Sequence, residues 1–131
     1  MGKRHLLVID DDPLSVKLLA DILDLRGYRV STAPNCSIAL EVMNGQPVDA
    51  VITDFHLPDC DGLEVLRSAR QVSQNLPVFV VSVDSEAIPS DERNGVFFFG
   101  KPISVHDVVS AVERAVPHAR LPPESTKTPP D

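Results

Sequence analysis

The chain has 131 residues, of which 43% are hydrophobic and 24% charged, so it is long enough to bury the core of one globular domain. Its formal net charge of −7 disfavours direct contact with the phosphate backbone of nucleic acids and favours a divalent cation as ligand. No apolar run approaches the ~18 residues of a membrane span, and the two cysteines, Cys36 and Cys60, lie far apart without metal-ligand spacing, which predicts reduced thiols in a cytoplasmic protein.

In the first half of the chain, short apolar runs alternate with stretches of helical apolar spacing. A first strand is predicted over His5 to Ile9, and a helix over Pro13 to Arg26, with Asp12 as its N-cap and proline at its first position. Apolar residues of this helix fall at Leu14, Leu18, Ile22 and Leu25, with Val16, Leu19 and Leu23 beside them, which is helical spacing. The next elements are a strand over Tyr28 to Ala33, a helix capped by Asn35 and closed at Gly45, and a strand over Val48 to Thr53.

The second half continues the alternation of strands and helices, but the helix expected between its two strands has a weak apolar pattern. Its predicted elements are a helix from Leu63 to about Val72, a strand over Leu76 to Ser82, a strand over Val96 to Phe99 and a helix over Val105 to Val116 that is capped by Ser104. Between the last two strands, only Ala87 and Ile88 form an apolar pair, and Pro89 interrupts the segment. We therefore expect a short helix or a mobile loop over residues 84 to 94.

Strands that alternate with helices predict an α/β fold with a doubly wound, five-stranded parallel sheet covered on both faces. Residues 1–117 form the predicted domain. From Pro117 onward the chain is rich in Pro, Ser, Thr and Lys and nearly free of apolar residues, so we expect residues 118–131 to be a disordered tail or a linker.

Polar residues follow the predicted strands at the points where a parallel sheet gathers its carboxyl ends. Asp10 and Asp11 follow the first strand, Asp54 the third, Ser82 ends the fourth and Lys101 comes after the fifth. Unpaired carboxylates ~4 Å apart repel by roughly 4 kcal/mol at a dielectric near 20, so a magnesium ion and the lysine are the expected compensation. An aspartate in such a setting is a nucleophile for phosphoryl groups.

Four stretches carry these residues: LLVIDDDP, VITDFHLPDCDG, PVFVVS and FFFGKP. Together they resemble the receiver domain of two-component response regulators, the family that includes the single-domain chemotaxis regulator, over about residues 4 to 116. The resemblance implies a flavodoxin-like sheet in the order 2-1-3-4-5 with five flanking helices, of which the fourth is expected here to be short or irregular.

The same resemblance assigns roles to individual positions. It implies phosphorylation of Asp54 by a histidine kinase or a histidine phosphotransfer protein, and a switch that acts on a downstream effector domain or protein, with no contact to a membrane. The implied magnesium ligands, for which Mn2+ could substitute, are Asp10, Asp11, Asp54 and the backbone carbonyl of His56. The implied phosphate-binding and switch residues are Ser82, Lys101 and Phe98, and Pro102 is expected to follow a cis peptide bond.

Some positions depart from the family pattern and keep alternatives open. Val83 stands where a small residue is usual and is expected to crowd the site, and His56 is an uncommon choice at its position. One alternative is a receiver-like interaction module that is never phosphorylated. Another is a magnesium-dependent phosphohydrolase that forms an aspartyl-phosphate, although that class usually has a second acid where His56 stands. We predict a signalling receiver that assists its own phosphotransfer and dephosphorylation, not an enzyme.

Overall fold

Five strands alternate with four α-helices in the computed structural model, which describes residues 3–83 and 88–117. The strands are β1 (His5–Ile9), β2 (Arg29–Ala33), β3 (Ala50–Asp54), β4 (Val78–Val81) and β5 (Val96–Phe99). The helices are α1 (Pro13–Leu25), α2 (Cys36–Gly45), α3 (Gly62–Val72) and α4 (Val105–Ala115). No helix among these residues is long and apolar enough to cross a bilayer.

All five strands form one parallel sheet in the order β2-β1-β3-β4-β5, so the predicted fold class and strand order are confirmed. The register aligns the strand ends: Ile9 pairs with Ala33 and Thr53, and Val81 pairs with Asp54 and Phe99. The residues that follow β1, β3, β4 and β5 are therefore delivered to one rim of the sheet.

The core consists of two apolar layers, one on each face of the sheet. Alternate residues of the strands point to opposite faces, so Leu7, Val51 and Val78 pack under α2 and α3, whereas Leu6, Ile52 and Phe79 pack under α1 and α4. Residues in both layers are almost inaccessible to solvent. This explains why the strands read as continuous apolar runs in the sequence.

The helix starts follow the predicted capping residues. The carboxylate of Asp12 accepts a hydrogen bond from the N–H of Leu14, the side chain of Asn35 from that of Ile38, and the hydroxyl of Ser104 from that of Asp107. These contacts satisfy N–H groups that the first helical turn leaves without a partner. The three predicted N-caps are therefore confirmed.

The buried face of α1 uses only some of the apolar residues that predict this helix. Leu14, Leu18 and Leu25 are 79%, 52% and 84% exposed, whereas Leu19 and Leu23 are the residues that contact the sheet. The helix carries two adjacent rows of leucines, and apolar spacing alone does not distinguish between them. The orientation is set by the β1–α1 and α1–β2 turns, which hold the row of Leu19 and Leu23 over the sheet.

Two other expectations about side chains were wrong. In the sequence, His5, His106 and His118 form no cluster and are expected on the surface, but His5 is only 3% exposed. Its ring nitrogens lie 2.7 Å from the carbonyl oxygen of Pro47 and 2.7 Å from the hydroxyl of Ser31, which makes burial of the imidazole tolerable. His106 is exposed, and His118 lies outside the described residues.

The two cysteines are also not the separate reduced thiols that the sequence predicted. Cys36 and Cys60 form a disulfide, with their Cα atoms 6.1 Å apart and 24 positions between them in sequence. The pairing arises because α2 and α3 lie side by side on one face of the sheet, which brings the first residue of α2 to the loop that precedes α3.

Between β4 and β5, where the sequence predicts a short helix or a mobile loop, residues 88–94 contain a single 3-10 turn, Ser90–Glu92. Residues 84–87 of the predicted segment lie outside the described residues. Ile88 is fully buried beneath the turn. The guanidinium of Arg67 on α3 donates two hydrogen bonds of 2.8 Å to the carboxylate of Glu92. The part of this segment that the structure describes is therefore held by the buried side chain of Ile88, by the Arg67–Glu92 pair and by further arginine contacts to its backbone.

Gly62, the first residue of α3, is expected to tolerate no side chain. A Cβ atom there would lie 2.8 Å from Cδ1 and 3.1 Å from Cα of the buried Phe55. Gly62→Ala should lower the free energy of unfolding by about 1 to 3 kcal/mol, because part of the clash is with backbone.

Urea denaturation measures this effect, and Gly45→Ala is the matched control, because a Cβ at the last residue of α2 meets no described atom within 4 Å. The control should change stability by less than about 1 kcal/mol. Equal effects of the two substitutions would contradict the proposed close contact.

Candidate functional site

Three carboxylates meet at the rim of the sheet. Asp54 is the last residue of β3, and Asp10 and Asp11 directly follow β1, its neighbour in the sheet. One carboxylate oxygen from each residue lies within 4.8 Å of the others. Asp54 is only 8% exposed, Asp10 is half-buried and Asp11 is exposed, so the negative charge is concentrated in a partly desolvated place.

Lys101, which follows β5, supplies a positive charge to this cluster. Its Nζ lies 2.9 Å from Oδ1 of Asp54, and this contact is the main reason why the pKa of Lys101 is raised. Oδ1 of Asp54 is buried and accepts no well-aligned hydrogen bond from the described residues. The ammonium is therefore close to this oxygen but is not aligned with it as in a regular hydrogen bond. The peptide bond between Lys101 and Pro102 is cis.

The surroundings of Asp10 disfavour its ionised form. Burial raises its pKa, and the nearby charges of Asp54 and Asp11 act in the same direction. The N–H of Asp12 donates to Oδ1 of Asp10 at 3.0 Å, which lowers the pKa but does not cancel the other effects. Within the described residues, the cluster thus holds more negative charge than its surroundings balance.

A cavity of about 410 Å³ opens over the cluster and is lined by Asp10, Asp11, Asp54 and Lys101 together with apolar residues of β1, α1 and α4. The donor set is made of carboxylate oxygens, which are the ligands that Mg2+ prefers. The buried oxygen of Asp54 that lacks an aligned donor is the second indication that a cation fits here. The residues present therefore match a hard divalent cation.

The other predicted site residues lie near this cavity without lining it. Ser82 is 5% exposed and follows Val81, the strand partner of Asp54, and its N–H donates to the carbonyl of Phe99. Phe98 is half-buried, and the guanidinium carbon of Arg93 lies 5.2 Å from its ring centroid. Val83 is 74% exposed and does not line the cavity, so its effect on access stays a prediction.

The loop after Asp54, residues 55–61 and called here the β3–α3 loop, is closed by its own backbone. His56 pairs with Asp61 in an isolated antiparallel bridge, and the N–H of Gly62 donates to the carbonyl of Phe55 at 2.6 Å. His56 is exposed, and its ring packs edge-on against that of Phe55. His56 is not among the residues that line the cavity, so the role of its backbone carbonyl as a magnesium ligand stays a prediction.

The remaining acids of this region have structural roles that the sequence analysis did not assign. Both carboxylate oxygens of Asp59 accept backbone N–H groups at the start of α2, from Cys36 at 2.8 Å and Ser37 at 3.0 Å, and these bonds lower the pKa of Asp59. Asp61 caps α3 by accepting from the N–H of Glu64. An Asp followed three residues later by Glu resembles a capping box, and this signal could have identified Asp61. No local signal points to the contact of Asp59.

The comparisons with known protein families, sequences and structures agree with one another. The family model described as response regulator receiver domain matches residues 6–113. The chain is 30% identical over 115 residues to the transcriptional regulatory protein GlrR of Escherichia coli K12, an alignment that covers 86% of this chain and 26% of that protein. It is 37% identical over 88 residues to the sensor histidine kinase RcsC of Salmonella typhimurium, covering 67% of this chain and 9% of that protein. The chain thus spans about a quarter of GlrR, the longer-aligned relative.

Solved structures with the same fold include the receiver domain of the hybrid histidine kinase CckA, with a TM-score of 0.73, 26% identity and coverage of 86% of this chain and 98% of that chain. The response regulator TrrA of Thermotoga maritima, solved in complex with Mg2+ and BeF, has a TM-score of 0.75 at 24% identity, covering 86% of this chain and 99% of that chain. The second likeness concerns the fold alone.

The crowded charge at Asp10 leads to a stability prediction. In metal-free buffer at pH 7, Asp10→Asn should raise the free energy of unfolding by about 0.5 to 1 kcal/mol, because it removes a partly buried charge and keeps an acceptor for the N–H of Asp12. The raised pKa means that the folded state binds the proton more tightly than the unfolded chain. The cost of the charge is therefore present at neutral pH, and the advantage of the variant should disappear as pH falls below the ordinary value of 3.8.

Chemical denaturation at several pH values in the presence of a chelator measures the difference. Asp24→Asn on the exposed side of α1 is the control and should show little change. A destabilised Asp10→Asn at pH 7 would contradict the electrostatic account.

Proposed function

Because the chain belongs to the family of response regulator receiver domains, we propose that Asp54 is its phosphoacceptor and that a histidine kinase or a histidine phosphotransfer protein is the donor. The observation that carries the proposal is the buried carboxylate of Asp54, which faces a cavity beside two other acids and one lysine. The relatives GlrR and RcsC are a regulatory protein and a sensor histidine kinase, which supports a place in this kind of signalling.

In the proposed transfer, a carboxylate oxygen of Asp54 forms a bond to phosphorus while the bond between phosphorus and the donor imidazole nitrogen breaks. The electron pair of that bond stays on the nitrogen, and an aspartyl-phosphate results. Negative charge on the phosphoryl oxygens would be met by Lys101, which already lies 2.9 Å from Asp54 and whose raised pKa keeps it charged. In this way the chain assists its own phosphotransfer.

A magnesium ion would be held by the carboxylates of Asp10, Asp11 and Asp54 and by the backbone carbonyl of His56. When bound, it would neutralise charge on the transferring group. The proposal is supported by the mutual approach of the three carboxylates and by their oxygen-only donor set. The magnesium complex of TrrA, a protein of the same fold, agrees with it.

The proposed response to phosphate involves the two residues that flank the cavity, Ser82 and Phe98. Ser82 ends the strand next to Asp54, so its hydroxyl is a candidate partner for the new phosphoryl oxygens. Phe98 lies one strand further and would change its packing as the face around β5 rearranges. A downstream effector domain or protein would read this face, in the cytoplasm, with residues 1–117 acting as the receiver and 118–131 as a tail or linker.

An aspartyl-phosphate phosphohydrolase is less well supported. Such an enzyme usually places a second acid two residues after the nucleophile, and that position is His56, whose exposed side chain does not line the cavity. Asp59 and Asp61 bind backbone N–H groups and do not replace it.

The phosphoacceptor assignment is tested by phosphorylation with a small phosphodonor. Incubation with acetyl phosphate and Mg2+ should add one phosphoryl group to the intact protein, detected by mass spectrometry, and Asp54→Asn should remove the adduct because the nucleophile is gone. Asp24→Asn, an exposed acid of α1, is the control and should be phosphorylated like the wild type. An undiminished adduct in Asp54→Asn would exclude the assignment.

Magnesium binding is a separate prediction. Asp11→Asn should weaken Mg2+ affinity by about tenfold or more, since a ligand with full negative charge is lost. Affinity should also fall as pH drops into the range where Asp10 becomes protonated. Isothermal titration calorimetry measures both, with Asp21→Asn as the control, because Asp21 only pairs with Lys17 on the surface of α1. Equal affinities of wild type and Asp11→Asn would count against the ligand set.

A further inference from the structure

The two cysteines of the chain meet where the β3–α3 loop contacts the start of α2. Cys36 is the first residue of α2, and Cys60 lies in the β3–α3 loop. Their Cα atoms are 6.1 Å apart, within the range that a disulfide spans, and the bond is formed in the structure. Because the chain contains only these two cysteines, they have no competing intramolecular partner.

The disulfide joins the same two segments that Asp59 joins by hydrogen bonds. The carboxylate of Asp59 binds the N–H groups of Cys36 and Ser37, so one polar clamp and one covalent link fasten the β3–α3 loop to α2. This loop begins directly after Asp54 and contains His56. Any change in the freedom of the loop therefore acts on backbone that borders the acidic cluster.

The sulfur atoms are within reach of small molecules. A hollow of about 40 Å³ between α2 and α3 is bordered by both cysteines and by the polar side chains of Glu64 and Ser68. Cys36 is buried, whereas Cys60 is half-buried and is the sulfur more open to attack from this side. A thiol or a small disulfide would therefore meet Cys60 first, at the surface of the molecule.

We propose that Cys36 and Cys60 form a reversible disulfide that tightens the β3–α3 loop and so strengthens cation binding at the acidic cluster. The oxidant is a low-molecular-weight disulfide. One cysteine thiolate attacks it and releases one small thiol, and the second cysteine then attacks the mixed disulfide and releases the other. In balance, two protein thiols and one small disulfide become one protein disulfide and two small thiols.

The predicted increase in cation affinity rests on the proposed function, whereas the formation of the disulfide does not. In the oxidised protein, the loop is held at Cys60 and Asp59, and the carbonyl of His56 has a narrower range of positions. In the reduced protein, only the Asp59 clamp remains. A ligand that is held in place before binding costs less entropy to order, so the oxidised form should bind Mg2+ more tightly.

The redox part is tested in glutathione buffers of increasing oxidised fraction, followed by alkylation and intact mass. The expected result is a transition from two alkylated cysteines to none, with recovery of both on reduction. Cys36→Ser is the control: its single remaining thiol, Cys60, has no internal partner, so no intramolecular disulfide should form in any of the buffers. The proposal would be overturned if both cysteines stayed reduced in fully oxidised glutathione. It would also be overturned if the reduced cysteines retained one Zn2+ per protein, because the pair would then be a metal site.

The loop and cation parts are tested on the same two forms of the wild-type protein. Amide hydrogen exchange across residues 55–61 should be at least severalfold faster in the reduced form, with α4 unchanged as the internal control. Calorimetry should give a Mg2+ affinity that is severalfold higher for the oxidised form, and Cys60→Ser should show no dependence on redox buffer. Equal exchange or equal affinity in both forms would refute the coupling. Failure of the phosphoacceptor role would appear separately, as an unchanged adduct in Asp54→Asn.

Discussion

The mutual repulsion of three carboxylates at one rim of the sheet is the constraint on which the site depends. Parallel pairing of β1 with β3 brings Asp10 and Asp11 beside Asp54, and like charges ~4 Å apart repel by roughly 4 kcal/mol at a dielectric near 20. Lys101 relieves part of this because β5 and the turn after it end at the same rim. The two apolar layers of the core hold the strand ends in place, so the acids cannot separate. The site therefore carries negative charge that a cation can satisfy.

The acidic residues of the rim divide into two groups by their partners. Asp12, Asp59 and Asp61 accept backbone N–H groups at the starts of helices, and their charges are used in holding α1, α2 and α3. Asp10, Asp11 and Asp54 form the cluster that lines the cavity, and Asp12 lies at its edge as well. The stretch from Asp54 to Asp61 thus combines a candidate phosphoacceptor with two residues that build the loop beside it. The disulfide adds a covalent link between this loop and the start of α2.

The face between β4 and β5 is organised differently from a regular helix-covered sheet. The 3-10 turn of residues 90–92 is attached to α3 through Arg67 and Glu92, and this pairing raises the pKa of the arginine and lowers that of the glutamate. The neighbouring Arg93 lies over the ring of Phe98 and donates to the carbonyl of Ile88. Surface pairs of this kind contribute little stability and exchange partners easily.

The order of elements, the parallel sheet and three helix caps were determined by the sequence alone, because they depend on apolar spacing and on contacts between near neighbours. The same holds for the gathering of Asp10, Asp54 and Lys101, since the ends of parallel strands share a rim. Only the tertiary structure decided which leucines of α1 are buried, that His5 finds two partners in the interior, and that Cys36 meets Cys60. These depend on how helices lie over the sheet, and contacts between residues far apart in sequence leave no periodic or local pattern from which they could be inferred.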